Sequence, residues 1–424
     1  MVPHLTTALK GPLLELERRI LTAQPTIEHW FRTQWQEHTP PIYSSVDLRN
    51  SGFKLAPVDT NLFPGGFNNL NPEFLPLCVH AVQSTLEKVC PEARGVLLIP
   101  ENHTRNQFYL QNVAQLALML RQAGLKVRIG SLLPEITAPT TLELANGSSL
   151  TLEPLERRGN RLGVEGFDPC VVLLNNDLSA GAPDILKNLE QTVLPPLAAG
   201  WYVRRKSKHF AAYHEVSKRF AEILSIDPWL IDPYFAVCNQ VNFHERTGEE
   251  CLAAQVDLVL QQTRAKYAEY GVKHDPFVIV KADAGTYGMG IMSVKDASEV
   301  RDLNRKQRNK MAVVKEGMQV SDVLVQEGVY TFEDLNGAVA EPVVYMVDRY
   351  VVGGFYRVHT DRGVDENLNA PGMRFEPLAF EQCCILPNPD CAPDDTPNRF
   401  YAYGVVARLA MLAASIELEE LTAE

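Results

Sequence analysis

An apolar run that ends on a lysine, breaks into glycines and resumes as a second β-prone run constrains this chain more than any other segment. It reads Phe277-Val-Ile-Val-Lys281-Ala-Asp-Ala-Gly285-Thr-Tyr-Gly288-Met-Gly290-Ile-Met-Ser-Val294. Glycines let backbone N–H groups come close to an anion, and Lys281 sets a point charge beside them. A P-loop needs Gly-Lys-Ser/Thr opening a helix. The dinucleotide turn needs Gly-x-Gly-x-x-Gly, and here that spacing is reversed with a strand following. The segment therefore predicts a strand–loop–strand flap over a nucleotide triphosphate, with Lys281, Gly285, Gly288 and Gly290 against the phosphates.

At 424 residues the chain has room for two or three domains. A net charge of −12 argues against non-specific nucleic-acid binding, which needs a basic footprint. Eight cysteines are scattered without a Cys-x-x-Cys pair, and Cys383-Cys384 lacks histidines at zinc spacing. They read as reduced thiols of a cytoplasmic protein. No signal peptide is expected, and no apolar run reaches the about 18 residues of a membrane span. A homo-oligomer is left open.

Residues 1 to about 40 carry helical periodicity, and Tyr43 to Asn61 reads as a hairpin turning at Arg49-Asn-Ser-Gly52. From about 72 the pattern alternates: helix 74–90, strand 95–100, helix 106–123, strand 126–129, a hairpin-like stretch, strand 170–174 and helix 183–193. Such alternation predicts a small parallel-sheet α/β domain over 72–196. Beyond Pro195-Pro196 come a basic segment containing Lys206 and Lys208, a helix near 211–224, a helix at 247–270, the flap, a charged helix at 296–310, and strands to Tyr356. The expected organisation is 1–71, 72–196 and 197–424.

Several segments add chemistry to the flap. Val323-Leu-Val-Gln326-Glu327-Gly-Val329 reads as a strand entering a hinge, where backbone groups meet an adenine edge and Glu327 meets the nucleotide. Glu341 to Arg357 gives two strands ending on an arginine, and Glu366-Asn367-Leu-Asn369-Ala-Pro-Gly372 is an amide-rich loop. In the hairpin, Asp59 and Asn61 leave one face of a strand and Asp47 on its partner can join them. Hard oxygen donors at that spacing suit Mg²⁺ on triphosphate oxygens, whereas turn and cap chemistry is the plainer reading. Pro100-Glu-Asn-His103-Thr-Arg105-Asn106 follows a strand at the edge where α/β sheets bind ligands, and Asn68 and Asn69 continue the hairpin. A hydrogen-bonded loop histidine and a surface arginine are the alternatives there.

The ordered set resembles the ATP-grasp superfamily: lysine strand, glycine flap, hinge, acidic strand, arginine, amide loop. That resemblance implies two phosphate-contacting lysines, Lys281 and either Lys206 or Lys208, with Arg357 also offsetting charge. It also implies metal-bearing strands near the C-terminus. None follows the last helix, so the hairpin at 43–66 is expected to complete the catalytic sheet, as in a circular permutation. The peptides Asp59 to Asn69, Pro100 to Asn106 and Lys281 to Gly290 together resemble a proteobacterial family of glutamate–cysteine ligases. The resemblance implies ATP- and Mg²⁺-dependent joining of glutamate to cysteine through an acyl phosphate. Arg49, Arg105 or Arg374 would then hold the substrate carboxylate, beside Asn68, Asn69, His103, Asn106, Asn367 and Asn369. A glutathione synthetase or other carboxylate–amine ligase, a kinase, and a non-catalytic nucleotide scaffold are the rival readings.

Overall fold

The computed structural model describes residues 12–285, 290–312, 320–377 and 399–423. Gly288 and Cys383, Cys384 and Cys391 lie outside the described residues.

Strand chemistry at both ends of the chain builds one antiparallel sheet. Its order is Arg374–Pro377, Tyr350–His359, Ala338–Val347, Tyr43–Asn50 and Leu55–Asn61, with Glu333–Leu335 also pairing to Ala338–Val347. The hairpin from the head of the chain is thus paired with a strand near its tail, in the register Tyr43↔Val347 through Asp47↔Val343. Alternation sorts the two faces. Val46, Ala340, Val344, Met346 and Val358 turn to the core built with helix Arg399–Ala423. Tyr43, Val343, Tyr345 and Val347 turn to the core shared with the parallel sheet. Each fully buried aliphatic side chain of this kind contributes roughly 1.5–3 kcal/mol.

The terminal helix is predominantly apolar and lies buried beside helix Lys206–Leu224. By length and composition Phe400–Thr422 could cross a membrane, yet 94% of its apolar window is buried inside the fold. Its length serves a core.

The alternating region forms a sheet ordered Thr192–Leu194, Val171–Asn175, Gly95–Pro100, Lys126–Ser131, Ser149–Pro154 and Thr140–Glu143. All neighbours are parallel except the last pair. The expected helix 183–193 is absent. A 3-10 turn, Asp184–Leu186, replaces it, Asn188 takes φ 54°, and Thr192–Leu194 pairs with Val171–Leu173. A left-handed residue cannot sit inside a helix, so sheet pairing overrides the local apolar spacing. The charged helix also divides, into Ser298–Arg301 and Arg305–Ala312.

A third sheet carries the flap strands. Phe235–Cys238, Val323–Glu327, Val278–Ala282 and Ile291–Val294 pair antiparallel in that order, backed by helix Glu249–Tyr270.

Candidate active site

A cavity of about 810 Å³ opens between the flap sheet and the central sheet. Its lining includes Asp47, Arg49, Asp59, Lys206, Lys281, Gly285, Gln326, Glu327, Val329, Glu341, Arg357, Asn367 and Asn369.

Register explains the acidic side. Asp47 stands opposite Asp59, and Glu341 opposite Arg357 on the next pair of strands. The ladder then slips between Asp47 and Leu48, so Leu48 faces Pro57 and Val58 has no partner. Such a bulge releases backbone groups from the ladder. The freed Val58 carbonyl accepts a hydrogen bond from Lys281 Nζ at 2.7 Å.

Arg357 Nη1 donates to Asp47 Oδ2 at 2.9 Å and to Glu341 Oε1 at 2.6 Å. Burial raises the Asp47 carboxyl above the usual range; Arg357 opposes this, and Glu341 and Asp59 add to it by repulsion. For Asp59, burial works against ionisation, but Lys206 and Lys281 outweigh it and hold its carboxyl well below the usual range. Lys206 Nζ donates to Asp59 Oδ1 at 2.6 Å.

The two lysines are tied together by one carboxylate. Asp283, just after Lys281, accepts from Ser207 N and Ser207 Oγ, both at 2.7 Å, at the start of helix Lys206–Leu224. Anchoring an orphan N–H in this way is worth about 0.5–2 kcal/mol. Lys206 N itself donates to the Asp283 carbonyl at 2.7 Å. The helix start therefore settles the choice of lysine lining the cavity: Lys206 is buried within it, and Lys208, about 200° further round the helix, is exposed.

Lys281 is buried against neutral partners. Besides Val58, its Nζ donates to Gln326 Oε1 at 2.7 Å and lies 5.1 Å from the Phe210 ring. Burial pulls its pKa down to about 7, against the pull of Asp59. Gln326 Nε2 and Arg357 Nε are buried without partners among the described residues.

Other sequence-named residues are placed as follows. Arg49 reaches the cavity but donates to Glu341 Oε2 at 2.9 Å and to the carbonyls of Val329 and Glu366. It braces Glu341 instead of offering a free clamp. The Glu327 carboxylate receives Lys54 Nζ at 2.8 Å, Tyr234 N at 2.9 Å and Trp229 Nε1 at 3.0 Å, so it shapes the hinge from behind. Asn61 turns its Oδ1 to Phe63 N at 3.0 Å in a local cap, and leaves the cavity to Asp47 and Asp59. Asn106 caps helix Gln107–Gln122 through Tyr109 N at 3.2 Å. Asn68 bonds Asn69, Arg105 and Arg374 are exposed, and His103 lines a different crevice; none of these lines the cavity. Gly290 sits at the flap base, its carbonyl accepting from Ala282 N.

Glu341 was not singled out as a site residue. Its register opposite Arg357 becomes readable only once the strand pairing is known.

Cations and crowded carboxylates alternate around this one cavity, and similarity to known proteins gives the class of the enzyme, a ligase. The family model for glutamate-cysteine ligase matches residues 17–418. The chain belongs to the glutamate-cysteine ligase family. A crystal structure from Methylobacillus flagellatus KT, provisionally named gamma-glutamylcysteine synthetase, is 69% identical over 99% of each chain with a TM-score of 0.92. A glutathione synthetase-like effector from Globodera pallida is 11% identical with a TM-score of 0.37, over 86% of this chain and 80% of that one. D-alanyl-alanine synthetase A from Vibrio cholerae is 13% identical with a TM-score of 0.34, over 74% and 80%. The last two likenesses are too slight to carry an argument. No curated protein matches.

Proposed function

We propose that the protein joins the γ-carboxylate of glutamate to the amine of cysteine, cleaving ATP to ADP, as the first step of glutathione synthesis. One observation carries the placement of this chemistry: the hairpin from the head of the chain brings Asp47 and Asp59 into one cavity with Lys206 and Lys281, Lys206 Nζ reaching Asp59 at 2.6 Å. This arrangement favours an ATP-grasp-like fold that is circularly permuted, divided at about 72 and 197.

In the first step the glutamate carboxylate attacks the γ-phosphorus, releasing ADP and leaving an acyl phosphate. The cysteine amine then adds to the acyl carbon, and phosphate leaves as the amide forms. Lys206, Lys281 and Arg357 offset negative charge that spreads over the transferring phosphoryl oxygens. Gln326 Nε2 offers one further donor. The flap keeps water from the acyl phosphate, which would otherwise hydrolyse. Asn367 and Asn369, which line the same cavity as Arg357, would orient the carboxylate substrate.

Asp47 and Asp59 fit Mg²⁺. They are cross-strand neighbours with hard oxygen donors, and Asp47 is held where its ionisation calls for a further cation. Among the described residues no three His, Cys, Asp or Glu side chains form a ready metal cluster, so a Mg²⁺ there would have to take most of its ligands from phosphate and water. Bound there, Mg²⁺ would neutralise triphosphate charge. A cytoplasmic location accords with the free thiols at Cys78, Cys90, Cys170, Cys238 and Cys251.

The test is ADP release with ATP, Mg²⁺, glutamate and cysteine, each left out in turn. ADP formation that requires both amino acids is expected. A stable phosphorylated product without amine would replace the ligase by a kinase, and nucleotide binding without turnover would leave a scaffold.

A further inference from the structure

Trp201 is a large side chain for which the cavity lining gives no role. It is 2% exposed and does not itself line the cavity. Its backbone is fixed, Trp201 N donating to the Asp177 carbonyl at 2.9 Å. Two cations lie over its ring, Lys206 Nζ at 4.5 Å and the Arg204 guanidinium at 4.9 Å. Both reach the second strand of the hairpin. Arg204 Nη1 donates to the Thr60 carbonyl at 2.7 Å, and Lys206 Nζ to Asp59 Oδ1 at 2.6 Å.

The two cations differ in what neutralises them. Arg204 Nε donates at 2.9 Å to Glu417, a buried carboxylate of the terminal helix. Lys206 has no buried counter-charge of that kind among the described residues. Its carboxylate is Asp59, which lines the cavity and keeps 36% of its side chain exposed.

A lysine stem is long and flexible, so an ammonium at a cavity wall is loose unless something holds it. A second carboxylate would hold it and cancel its charge, as Glu327 does for the buried Lys54. An indole face attracts a cation through the negative charge of its π-system, more strongly where water is excluded, and it carries no net charge. Lys206 is buried, so its contact with the ring is of the stronger kind. The ring seats the ammonium and leaves its charge for a ligand. A triphosphate competes with Asp59 for that ammonium, because both bring oxygen anions to one cavity; it does not compete with a ring outside the lining. The second cavity lysine is backed in a similar way: Lys281 Nζ lies 5.1 Å from the ring of Phe210, on the helix that starts at Lys206.

We propose that Trp201 is a positioning residue for nucleotide binding, its indole face seating the Lys206 ammonium where a phosphate meets it. The proposal rests on the ligase reading above, in which Lys206 contacts phosphate. Calorimetry of ATP binding and steady-state ADP release by Trp201→Phe, Trp201→Leu, Lys206→Met and the double variant Trp201→Leu/Lys206→Met test it. Without the ring the lysine has to be ordered as nucleotide arrives, so Trp201→Leu should weaken ATP binding about 3–10-fold. The KM values for glutamate and cysteine should stay within twofold. Trp201→Phe, which keeps an aromatic face, should stay within twofold of the unsubstituted protein for ATP. Once Lys206 is methionine, adding Trp201→Leu should change ATP affinity by less than twofold. A ring that merely braces the fold predicts otherwise: the same loss with and without Lys206, equal losses in the Phe and Leu variants, or a joint rise of all three KM values. Any of these overturns the proposal. Should Trp201→Leu fail to fold, Trp201→Met makes the same comparison. ATP binding by the unsubstituted protein without cysteine-dependent ADP release would sink the ligase reading alone, and the variants would still decide this one. Absence of ATP binding would sink both.

Discussion

Lys54 and Lys281 are both buried lysines along the cleft between the same two sheets, and they are held in opposite ways. Lys54 Nζ meets a carboxylate, Glu327, and a carbonyl, Asp232, each at 2.8 Å, with the Trp229 ring 4.5 Å away. Lys281 Nζ meets a carbonyl and a side-chain amide, and no carboxylate within ion-pair distance among the described residues. Burial lowers the pKa of both, Lys54 against the pull of Glu327 and Lys281 to about 7. A paired buried charge serves the fold; a buried lysine left with neutral partners fits the phosphate contact proposed for Lys281.

The largest effect that bears on this contrast is on stability. Lys54→Ala leaves Glu327 buried without its counter-charge and should cost about 3–5 kcal/mol, read by denaturant unfolding. The double variant Lys54→Met/Glu327→Gln should recover most of that loss, since replacing both partners is often near neutral. Lys281→Ala should instead leave the unfolding midpoint unchanged or higher and lower ADP formation by about 10²–10³-fold. If the two single variants destabilise equally, the contrast is broken.

The pH dependence of nucleotide binding sharpens it. Free Lys281 is half protonated near pH 7, and an arriving triphosphate favours the charged form. Binding should therefore take up close to one proton at pH 8 and much less at pH 6, measured by calorimetry in buffers of different ionisation enthalpy. Proton uptake that persists in Lys281→Met would assign it to another group.

The smallest effect lies at the edge of the Lys54 network. His214 Nδ1 meets Asp232 Oδ2 at 2.6 Å, and this hydrogen bond raises the imidazole pKa against the effect of burial. A raised folded pKa gives stability that is complete below about pH 6.5 and is lost as pH climbs through the folded value. With the ring more than a third exposed, His214→Gln should cost about 0.5 kcal/mol at pH 6 and almost nothing at pH 9.

Local pattern made much of the fold legible. The hairpin at 43–61, the lysine strand and the helix expected at 247–270 follow from alternation, turn residues and apolar periodicity, and they occur as Tyr43–Asn50 with Leu55–Asn61, Val278–Ala282 and Glu249–Tyr270. What local pattern could not supply was phase and register. Lys206 and Lys208 were inseparable until the helix start at Lys206 fixed which side each faces. Asn61 shares a strand face with Asp59, yet a backbone N–H two residues on captures it. Glu341 stands out only when its strand is set between Tyr43–Asn50 and Tyr350–His359. Residues 183–193 have helical spacing, and the parallel partner strand that overrides it is invisible locally.

The pairing of Tyr43–Asn50 with Ala338–Val347 has a cost during biosynthesis. At about 5–20 residues per second, a ribosome needs roughly 15–60 s to deliver the partner after the hairpin has emerged. Throughout that wait the nascent chain displays a two-stranded ribbon with an open edge, the kind of surface on which growing polypeptides stick to one another. Chaperone dependence and poor yield of truncated forms ending before the partner strand are the expected signs.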